Sequence, residues 1–421
     1  MTENGDGVVI VGAGAAGSAC AKALLAGGFE GGILLVDGEP GGFGINRTLV
    51  DTGLLPGLLG HEQIALPRPG GIEVVSGRAV GWGEGMRSVV LEDGRKAGAG
   101  AVVLACGSVP RGLGEGVRVD AEAPVHVLHE AADAERLRAA LPDPAGAGVI
   151  VIGAGFIGAE VASHYAAAGA RVTLVGRSRL PLVASFGDGI ANALADLHRE
   201  RVDARFGVEV RAVRATGESG GSGVAVELSD GSVLHGDVAI VAVGTRPEAT
   251  WAGFGGAIPT DGRLRVRGRG CIGGADSGVP GVDAPGPDAP HLYAAGGVAE
   301  IATEAGPIRI DHWEDSAAQG AHAAMTLLHD LGLGEDPGPY TPVAGFTLMV
   351  HGAVAAARGV RLAGGGEECR EVDGGLLAEF SREDGSLAGV AGWNAGAHVS
   401  SAAARLWVGS PARDRAARPG G

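Results

Sequence analysis

Near its N-terminus the chain carries the segment VVIVGAGAAGSACAKALLAGG, residues 8–28. A run of β-branched residues leads into a G-x-G-x-x-G turn made by Gly12, Gly14 and Gly17, and an Ala-rich stretch of helical character follows. The apolar run GILLVD comes next, at residues 32–37. This order of strand, turn, helix and strand predicts a βαβ unit of the dinucleotide-binding kind.

Each glycine of the turn has its own expected role. Gly12 permits the tight turn, Gly14 lets a pyrophosphate approach the backbone, and Gly17 lets the helix pack on the strand. The helix N-terminus, at Ala15 and Ala16, offers free N–H groups and a positive dipole to the anion. These five residues are therefore candidate cofactor-binding residues.

An acid stands where the second strand ends. Asp37 is placed to accept hydrogen bonds from both ribose hydroxyls of a nucleotide, and Glu39 is the alternative if the register slips. Because the glycines follow a strand, open a helix and precede this acid, the segment predicts a bound dinucleotide.

The segment GVIVIGAGFIGAEVASHYAAAGA, residues 148–170, repeats the pattern, and the apolar run ARVTLVGR follows it. Two dinucleotide folds in series imply two nucleotides. FAD and NAD(P)H are the obvious pair, because a nicotinamide delivers hydride and a flavin receives it. The candidate cofactor-binding residues of the second copy are Gly153, Gly155, Phe156, Ile157 and Gly158.

The second strand of this copy ends without an acid. Gly176 stands where the carboxylate would be, and Arg177 follows it. An Arg at this place suits a 2′-phosphate, so NADPH is favoured over NADH, which stays possible. The alternative is that Arg177 is only a solvated surface residue.

Composition excludes several classes of function. The 421 residues are too many for one hydrophobic core, and the net charge of −16 disfavours nucleic acid as a partner. No apolar run reaches membrane-spanning length, so no membrane is expected. The four cysteines form no CxxC and no zinc spacing, which predicts a reducing cytoplasm and no bound metal.

Other segments carry coarser signals. Residues 273–290 are rich in Pro, Gly and Asp and predict a loop, and the tail from Pro411 is expected to fray. The stretch 315–331 has helical spacing of small and apolar residues. A hairpin is predicted around Asp384 and Gly385.

Taken in order along the chain, these motifs resemble the FAD-dependent ferredoxin reductase family of the putidaredoxin reductase and apoptosis-inducing-factor type, within the pyridine nucleotide-disulfide oxidoreductases. The resemblance covers nearly the whole chain. It depends on the two glycine turns and on INRTLV (45–50), LACGSVPRG (104–112), AVGTRPEA (242–249), LYAAGGVA (292–299) and IDHWEDSAAQG (310–320).

The resemblance implies an α/β fold with two Rossmann-like dinucleotide-binding domains and a small C-terminal α/β domain. We expect a discontinuous FAD domain at 1–118 and 245–335, an NAD(P)H domain at 119–244, and an interface domain at 336–421. The further candidate cofactor-binding residues are Arg47, Val80, Ala105, Cys106, Gly107, Gly244, Gly296, Gly297 and Val298.

The chain departs from the family at several positions, and two of them bear on the flavin and its proposed proton donor. Gly297 replaces the Asp that grips the flavin, and loss of one charge-assisted hydrogen bond weakens binding by about 10 to 150-fold. Thr52 replaces the Lys that pairs with a Glu, here Glu160. We still expect FAD to bind, because the glycine turn for the pyrophosphate remains, as do Asp37, Arg47 and the turn at 105–108.

The same departures shape the expected chemistry. By the resemblance, Glu160 faces the flavin ring; without a cation its pKa should be raised, so that it serves as a proton donor. The alternative is a Glu on the exposed side of a helix. His312 is a titratable candidate, as is His351, and Trp313 is expected to pack on the ring. Thr52, Glu160, His312 and Trp313 are the candidate catalytic residues.

Three functions compete. The first is an NAD(P)H-dependent FAD oxidoreductase that passes electrons to a ferredoxin-type protein. The second is a flavoenzyme acting directly on a small molecule, which the acidic charge favours because it repels an acidic ferredoxin. The third is a catalytically silent fold. We expect a monomer or a homodimer.

Overall fold

The computed structural model describes residues 7–39, 44–83, 86, 88–98, 100–216, 223–267, 291–303, 306–342, 345–362 and 364–406. The predicted loop at 273–290 and the predicted tail from Pro411 lie outside these residues. The described residues pack as two compact units. The first is drawn from the ranges 1–48, 60–109 and 245–343, and the second from 49–59, 110–244 and 344–421. The boundaries of the three predicted domains stay a prediction.

The first unit is built on a parallel sheet that is covered on both faces. Its strands, numbered in chain order along the protein, lie in the spatial order β20 (His291–Ala294), β7 (Ala101–Leu104), β1 (Val8–Val11), β2 (Ile33–Asp37) and β3 (Glu73–Ser76). Every residue of β1, β2 and β7 is buried, as expected where a parallel sheet has layers on both sides.

Two helices of the first unit, α1 (Ala15–Ala26) and α6 (Trp313–Asp330), pack closely against each other. A Cβ at Gly320 would lie 2.0 Å from the carbonyl oxygen of Ala16, so only glycine allows this approach. Smaller elements complete the unit: α2 (His61–Ile64), β4 (Ala79–Trp82), β5 (Ser88–Leu91), β6 (Lys96–Gly98), β8 (Ser108–Pro110), β18 (Thr245–Pro247), β19 (Ile258–Thr260), β21 (Ala299–Thr303) and β22 (Gly306–Ile308).

The second unit contains its own parallel sheet. Its strands lie in the order β10 (Val125–Val127), β17 (Val238–Val241), β11 (Gly148–Ile152), β12 (Arg171–Gly176) and β13 (Asp203–Phe206). The helices of this part are α3 (Ala131–Ala140), α4 (Phe156–Ala167) and α5 (Val183–Arg201). A smaller sheet has the order β16 (Val233–Gly236), β15 (Gly223–Leu228), β14 (Val210–Thr216) and β9 (Arg118–Val119).

The C-terminal segment of the second unit forms an antiparallel sheet and a helix. The strand order is β23 (Gly345–Val350), β24 (Ala353–Gly359), β27 (Leu387–Trp393), β26 (Gly375–Ser381) and β25 (Gly366–Val372), and α7 (Gly396–Ala403) follows. This sheet shares a buried core with α5, in which Phe186 and Leu194 pack with Leu348 and Phe380.

The structure confirms the α/β fold and the repeated βαβ unit. Val8 of β1 pairs with Ile33 of β2, and Gly148 of β11 pairs with Arg171 of β12, both in parallel register. The helix predicted from 315 onward is α6, and the hairpin predicted around Asp384 joins β26 to β27. No helix within the described part of the chain is long and apolar enough to cross a membrane.

Candidate functional site

The first glycine turn has the conformation that its sequence predicts. Gly12 has a φ of +110°, and a Cβ there would lie 2.3 Å from the carbonyl oxygen of Ala105. A Cβ at Gly17 would lie 1.8 Å from the carbonyl oxygen of Gly12, so helix and strand meet at that point. Gly14 differs from both, because a Cβ there would meet nothing within 4 Å. The turn therefore leaves open space beside Gly14.

The start of α1 is suited to an anion. Gly14 caps the helix without a side-chain hydrogen bond, and no acidic residue lies in the first turn, which begins at Ala15 and Ala16. The first N–H groups of a helix have no partner within the helix, and they carry a partial positive charge. A phosphate beside Gly14 would be bound by these groups.

Two acids stand at the end of β2, and one of them pairs with Arg47. Asp37 is 2% exposed, and its carboxylate accepts a hydrogen bond of 3.0 Å from the backbone N–H of Glu39. The guanidinium of Arg47 donates to the carboxylate of Glu39 at 2.7 Å. This arrangement holds two acids and a cation beside the end of β2.

The turn after β7 carries Cys106, whose thiol donates to the carbonyl oxygen of Glu248 at 2.9 Å. Burial raises the pKa of this thiol to about 12, and it does the same for Cys20 on α1. Neither cysteine forms the reactive thiolate that disulfide exchange requires. The neighbouring Gly107 has a φ of +69°. Ala105 and Gly107 flank Cys106 at the carboxyl end of this strand, while Val80 lies on β4 and is 53% exposed.

A buried hydrogen-bond chain positions the turn after β20. The backbone N–H of Gly296 donates to the amide oxygen of Gln319 at 2.7 Å, and the amide nitrogen of Gln319 donates to Asp315 at 2.6 Å. Tyr340 donates its hydroxyl to the same carboxyl group at 2.9 Å. Gln319 and Asp315 are fully buried, as is Val298 after the turn, so the turn is held rigidly.

Asp311 lies against Gly297. A Cβ at Gly297 would lie 2.1 Å from Oδ1 of Asp311. Oδ2 of Asp311 accepts hydrogen bonds from Ser108 at 2.7 Å, from Thr245 at 2.6 Å and from Arg309 at 2.7 Å. A carboxylate therefore occupies the space beside the turn in which a side chain at position 297 would stand.

The second glycine turn repeats the geometry of the first. Gly153 has a φ of +114°, and a Cβ at Gly158 would lie 1.8 Å from its carbonyl oxygen. A Cβ at Gly155 would meet nothing within 4 Å. Ile157 is half-buried, and Gly244, after the neighbouring strand β17, has a φ of +97° and open space around it.

Two residues near this turn differ in their surroundings. The ring of Phe156 packs against the rings of Phe186 and Phe346, with centroids 5.7 and 5.6 Å apart, so it belongs to the core that α5 and the C-terminal sheet share. Gly176 ends β12, and the exposed Arg177 follows it. A Cβ at Gly176 would lie 2.9 Å from the ring of Phe206, so a side chain at this position would require the ring to shift.

Glu160 on α4 forms a carboxyl pair with Asp51. Asp51 is 7% exposed and lies in a π-helical turn, Val50–Leu54. The two carboxyl groups are hydrogen-bonded to each other, and Glu160 accepts a further bond of 3.1 Å from the backbone N–H of Met349. Burial, and then the charge of Asp51, raise the pKa of Glu160 to about 8. Burial also raises the pKa of Asp51.

The pair therefore holds a proton near neutral pH, because two buried carboxyl groups in contact do not both ionise. Glu160 is the member that keeps the proton, and Asp51 accepts the hydrogen bond. The raised pKa of Glu160 was expected from the lack of a cation at Thr52. The pairing of Glu160 with Asp51 was not expected. Asp51 immediately precedes Thr52, the residue that replaces the family's Lys. Its position next to Thr52 was the sequence feature that could have indicated Asp51 as the partner of Glu160.

The remaining catalytic candidates lie at two places. Thr52 is in the same π-helical turn as Asp51, and its backbone N–H donates to that carboxyl group. His312 precedes α6 as its N-cap residue, and burial lowers the pKa of its imidazole. Trp313 is the first residue of α6. His312 is thus a mostly neutral imidazole at neutral pH rather than a cation.

The other predicted titratable residue, His351, belongs to a histidine pair. Its Nε2 lies 3.1 Å from Nδ1 of His198, and the backbone N–H of His351 donates to the hydroxyl of Ser163. Burial, and then the charge of His351, lower the pKa of His198 to about 3. This pair is neutral at physiological pH and packs the turn between β23 and β24.

Comparison with known proteins agrees with this geometry. The chain is 30% identical over 344 residues to a ferredoxin–NAD(P)(+) reductase of a Sphingomonas species. The aligned residues cover 78% of this chain and 76% of that protein. It is 28% identical over 358 residues to the ferredoxin–NAD(+) reductase component of the biphenyl dioxygenase system of Paraburkholderia xenovorans. This alignment covers 82% of this chain and 81% of that protein.

A solved structure has the same fold. The crystal structure of a ferredoxin reductase from Rhodopseudomonas palustris matches with a TM-score of 0.79 and 25% identity, covering 94% of this chain and 93% of that one. The family described as pyridine nucleotide-disulphide oxidoreductase matches residues 6–320. The chain therefore belongs to the pyridine nucleotide-disulphide oxidoreductase family.

Proposed function

We propose that this oxidoreductase uses FAD to take electrons from NAD(P)H and passes them to a ferredoxin-type protein. The observation that carries the proposal is the presence of two glycine turns with the same backbone geometry, each with open space beside its central glycine, Gly14 or Gly155. The named reductases to which the chain is similar support the choice of acceptor.

The residues of the first unit fit a flavin dinucleotide. Gly14 and the start of α1 would bind the pyrophosphate, and Asp37 would accept hydrogen bonds from the ribose. Arg47 and the turns after β7 and β20 would bind the rest of the molecule. A bound flavin would accept a hydride from NAD(P)H and release the electrons one at a time.

The second unit fits a nicotinamide nucleotide, and we infer that NADPH is preferred. Gly155 and the start of α4 would bind the pyrophosphate. The space at Gly176 is closed by Phe206, so no carboxylate repels a 2′-phosphate there, and the exposed Arg177 is the adjacent cation.

Arg177→Ala is expected to raise the KM for NADPH by about 10-fold and to leave the KM for NADH nearly unchanged, because a charge-assisted contact to phosphate is lost. Steady-state kinetics with both nucleotides measure this ratio. Arg171→Ala is the matched control, since Arg171 begins β12, at the end opposite Arg177. An unchanged NADPH-to-NADH ratio in Arg177→Ala would contradict the proposed preference.

Proton transfer is assigned to the carboxyl pair. We propose that Glu160 would donate the proton required when a small-molecule acceptor is reduced at the flavin, with Asp51 holding Glu160 in place and Thr52 supporting Asp51. Trp313 and His312 are proposed to line the flavin site at the start of α6. A neutral His312 would offer a hydrogen bond without adding charge.

A second candidate function is the direct reduction of a small molecule at the flavin. The carboxyl pair favours it, because such a reduction consumes protons that an electron transfer to ferredoxin does not need. The net charge of −16 also opposes the approach of an acidic ferredoxin.

One spectroscopic experiment tests the proposal. The full-length chain with FAD is expected to show flavin absorption that bleaches with anaerobic NADPH and returns on addition of oxidised ferredoxin. Return of the absorption with small acceptors but not with ferredoxin would support the second candidate. A spectrum without flavin bands that added FAD cannot restore would mean a catalytically silent chain.

A further inference from the structure

Asp311 and Gly297 form a complementary pair in the first unit. The backbone of Gly297 lies outside the left-handed region, so it could carry any side chain, yet a Cβ there would lie 2.1 Å from Oδ1 of Asp311 and 2.8 Å from its Cγ. The space beside the turn holds one carboxyl group, which comes from Asp311. Glycine at position 297 is thus explained by the side chain opposite it.

The Asp311 carboxylate lies at the edge of the sheet where ligands bind. Ser108, which donates to it, follows β7, and Gly297 follows β20. The carboxyl ends of adjacent parallel strands face the binding crevice of an α/β sheet. The glycine turn after β1 reaches the same edge, because the carbonyl of Ala105 abuts Gly12.

Arg309 ties this carboxylate to the turn. Its Nε donates to the carbonyl oxygen of Gly297 at 2.6 Å, and its terminal nitrogen donates to Oδ2 of Asp311 at 2.7 Å. Ser108, Thr245 and Arg309 each donate to Oδ2, whereas Oδ1 is the atom that a Cβ at position 297 would meet first. The geometry therefore orients one carboxylate oxygen toward the turn.

We propose that Asp311 is the carboxylate that binds the hydroxyl-bearing chain of the flavin, in place of an acid at position 297. The inference deepens the proposed function and depends on FAD binding. A carboxylate accepts hydrogen bonds from hydroxyl groups, and such charge-assisted bonds are strong. Asp311 would thus supply the contact that Gly297 cannot make.

The test is an exchange of positions in the full-length chain. Asp311→Asn is expected to weaken FAD binding by about 10-fold or more, measured as the dissociation constant from flavin fluorescence during titration. Gly297→Asp alone is expected to weaken it too, because two carboxylates then share the space of one. The double variant Gly297→Asp with Asp311→Gly is expected to bind FAD more tightly than either single variant.

Asp330→Asn is the matched control. Asp330 accepts hydrogen bonds from Arg265 at 2.6 and 2.7 Å and from Tyr293 at 2.8 Å, so it resembles Asp311 in its partners but does not contact the turn. The FAD affinity of Asp330→Asn should equal that of the wild type. Thermal unfolding should show that all variants are folded.

The outcomes separate two failures. A wild type that binds FAD, together with an unchanged dissociation constant in Asp311→Asn, would overturn the assignment of Asp311 and leave the proposed function intact. A double variant that binds no better than the two single variants would also overturn it. A wild type that binds no FAD would instead overturn the proposed function.

Discussion

Gly12→Ala is expected to destabilise the FAD-free chain by about 3 kcal/mol or more, whereas Gly14→Ala should change its stability by less than about 0.5 kcal/mol. The φ of +110° at Gly12 and the 2.3 Å approach to Ala105 both exclude a side chain. Gly14 has a φ of −71° and open space, so alanine fits. Unfolding in urea measures both differences.

Gly14 matters for FAD binding rather than for stability. Gly14→Ala is expected to weaken FAD binding by about 10-fold or more, because the added methyl group enters the space that the pyrophosphate needs. Gly28→Ala is the control for backbone strain alone, since its φ is +77° and nothing lies near it; it should cost about 1–2 kcal/mol. Wild-type affinity in Gly14→Ala would mean that no phosphate binds at this turn.

Glu160→Gln is expected to slow the reduction of a small-molecule acceptor at the flavin by about 100-fold while leaving the FAD content unchanged, because Gln cannot donate a proton. Asp51→Asn is the matched variant. It removes the other carboxyl group but keeps the proton donor, and should lower the pKa of Glu160. Rapid mixing with NADPH and the acceptor across pH 6–9 measures the step. Equal rates in Glu160→Gln and the wild type would remove Glu160 from the mechanism.

The same variant should change how stability depends on pH. The pKa of Glu160 is raised from its ordinary 4.5 to about 8, so the folded chain binds more protons than the unfolded chain between these values. This contribution to stability is full below pH 4.5 and is lost as pH rises through 8. Glu160→Gln should therefore have a flatter profile and be more stable than the wild type at pH 8, by about 4 kcal/mol. A parallel decline in both proteins would contradict this.

Much of the fold could be predicted from local sequence. The glycines at 12, 14 and 17 and at 153, 155 and 158 act through their own φ angles and through neighbours on adjoining strands. A strand, a glycine turn, a helix and a second strand in this order are typical of a βαβ unit. The raised pKa of Glu160 was expected from the family resemblance, which implied burial without a cation, and the structure adds the charge of Asp51 as a second cause.

Sequence by itself determined the two dinucleotide folds and the kind of cofactor they suit, because the deciding contacts are short in sequence or repeated in pattern. Only the tertiary structure decided which carboxyl groups meet. Asp51 pairs with Glu160, a residue far from it in sequence, and the Asp311 carboxylate fills the space that Gly297 leaves. Such pairings depend on the tertiary packing of segments that are distant in sequence. The free-energy cost of burying a carboxyl group depends on which group it contacts after packing.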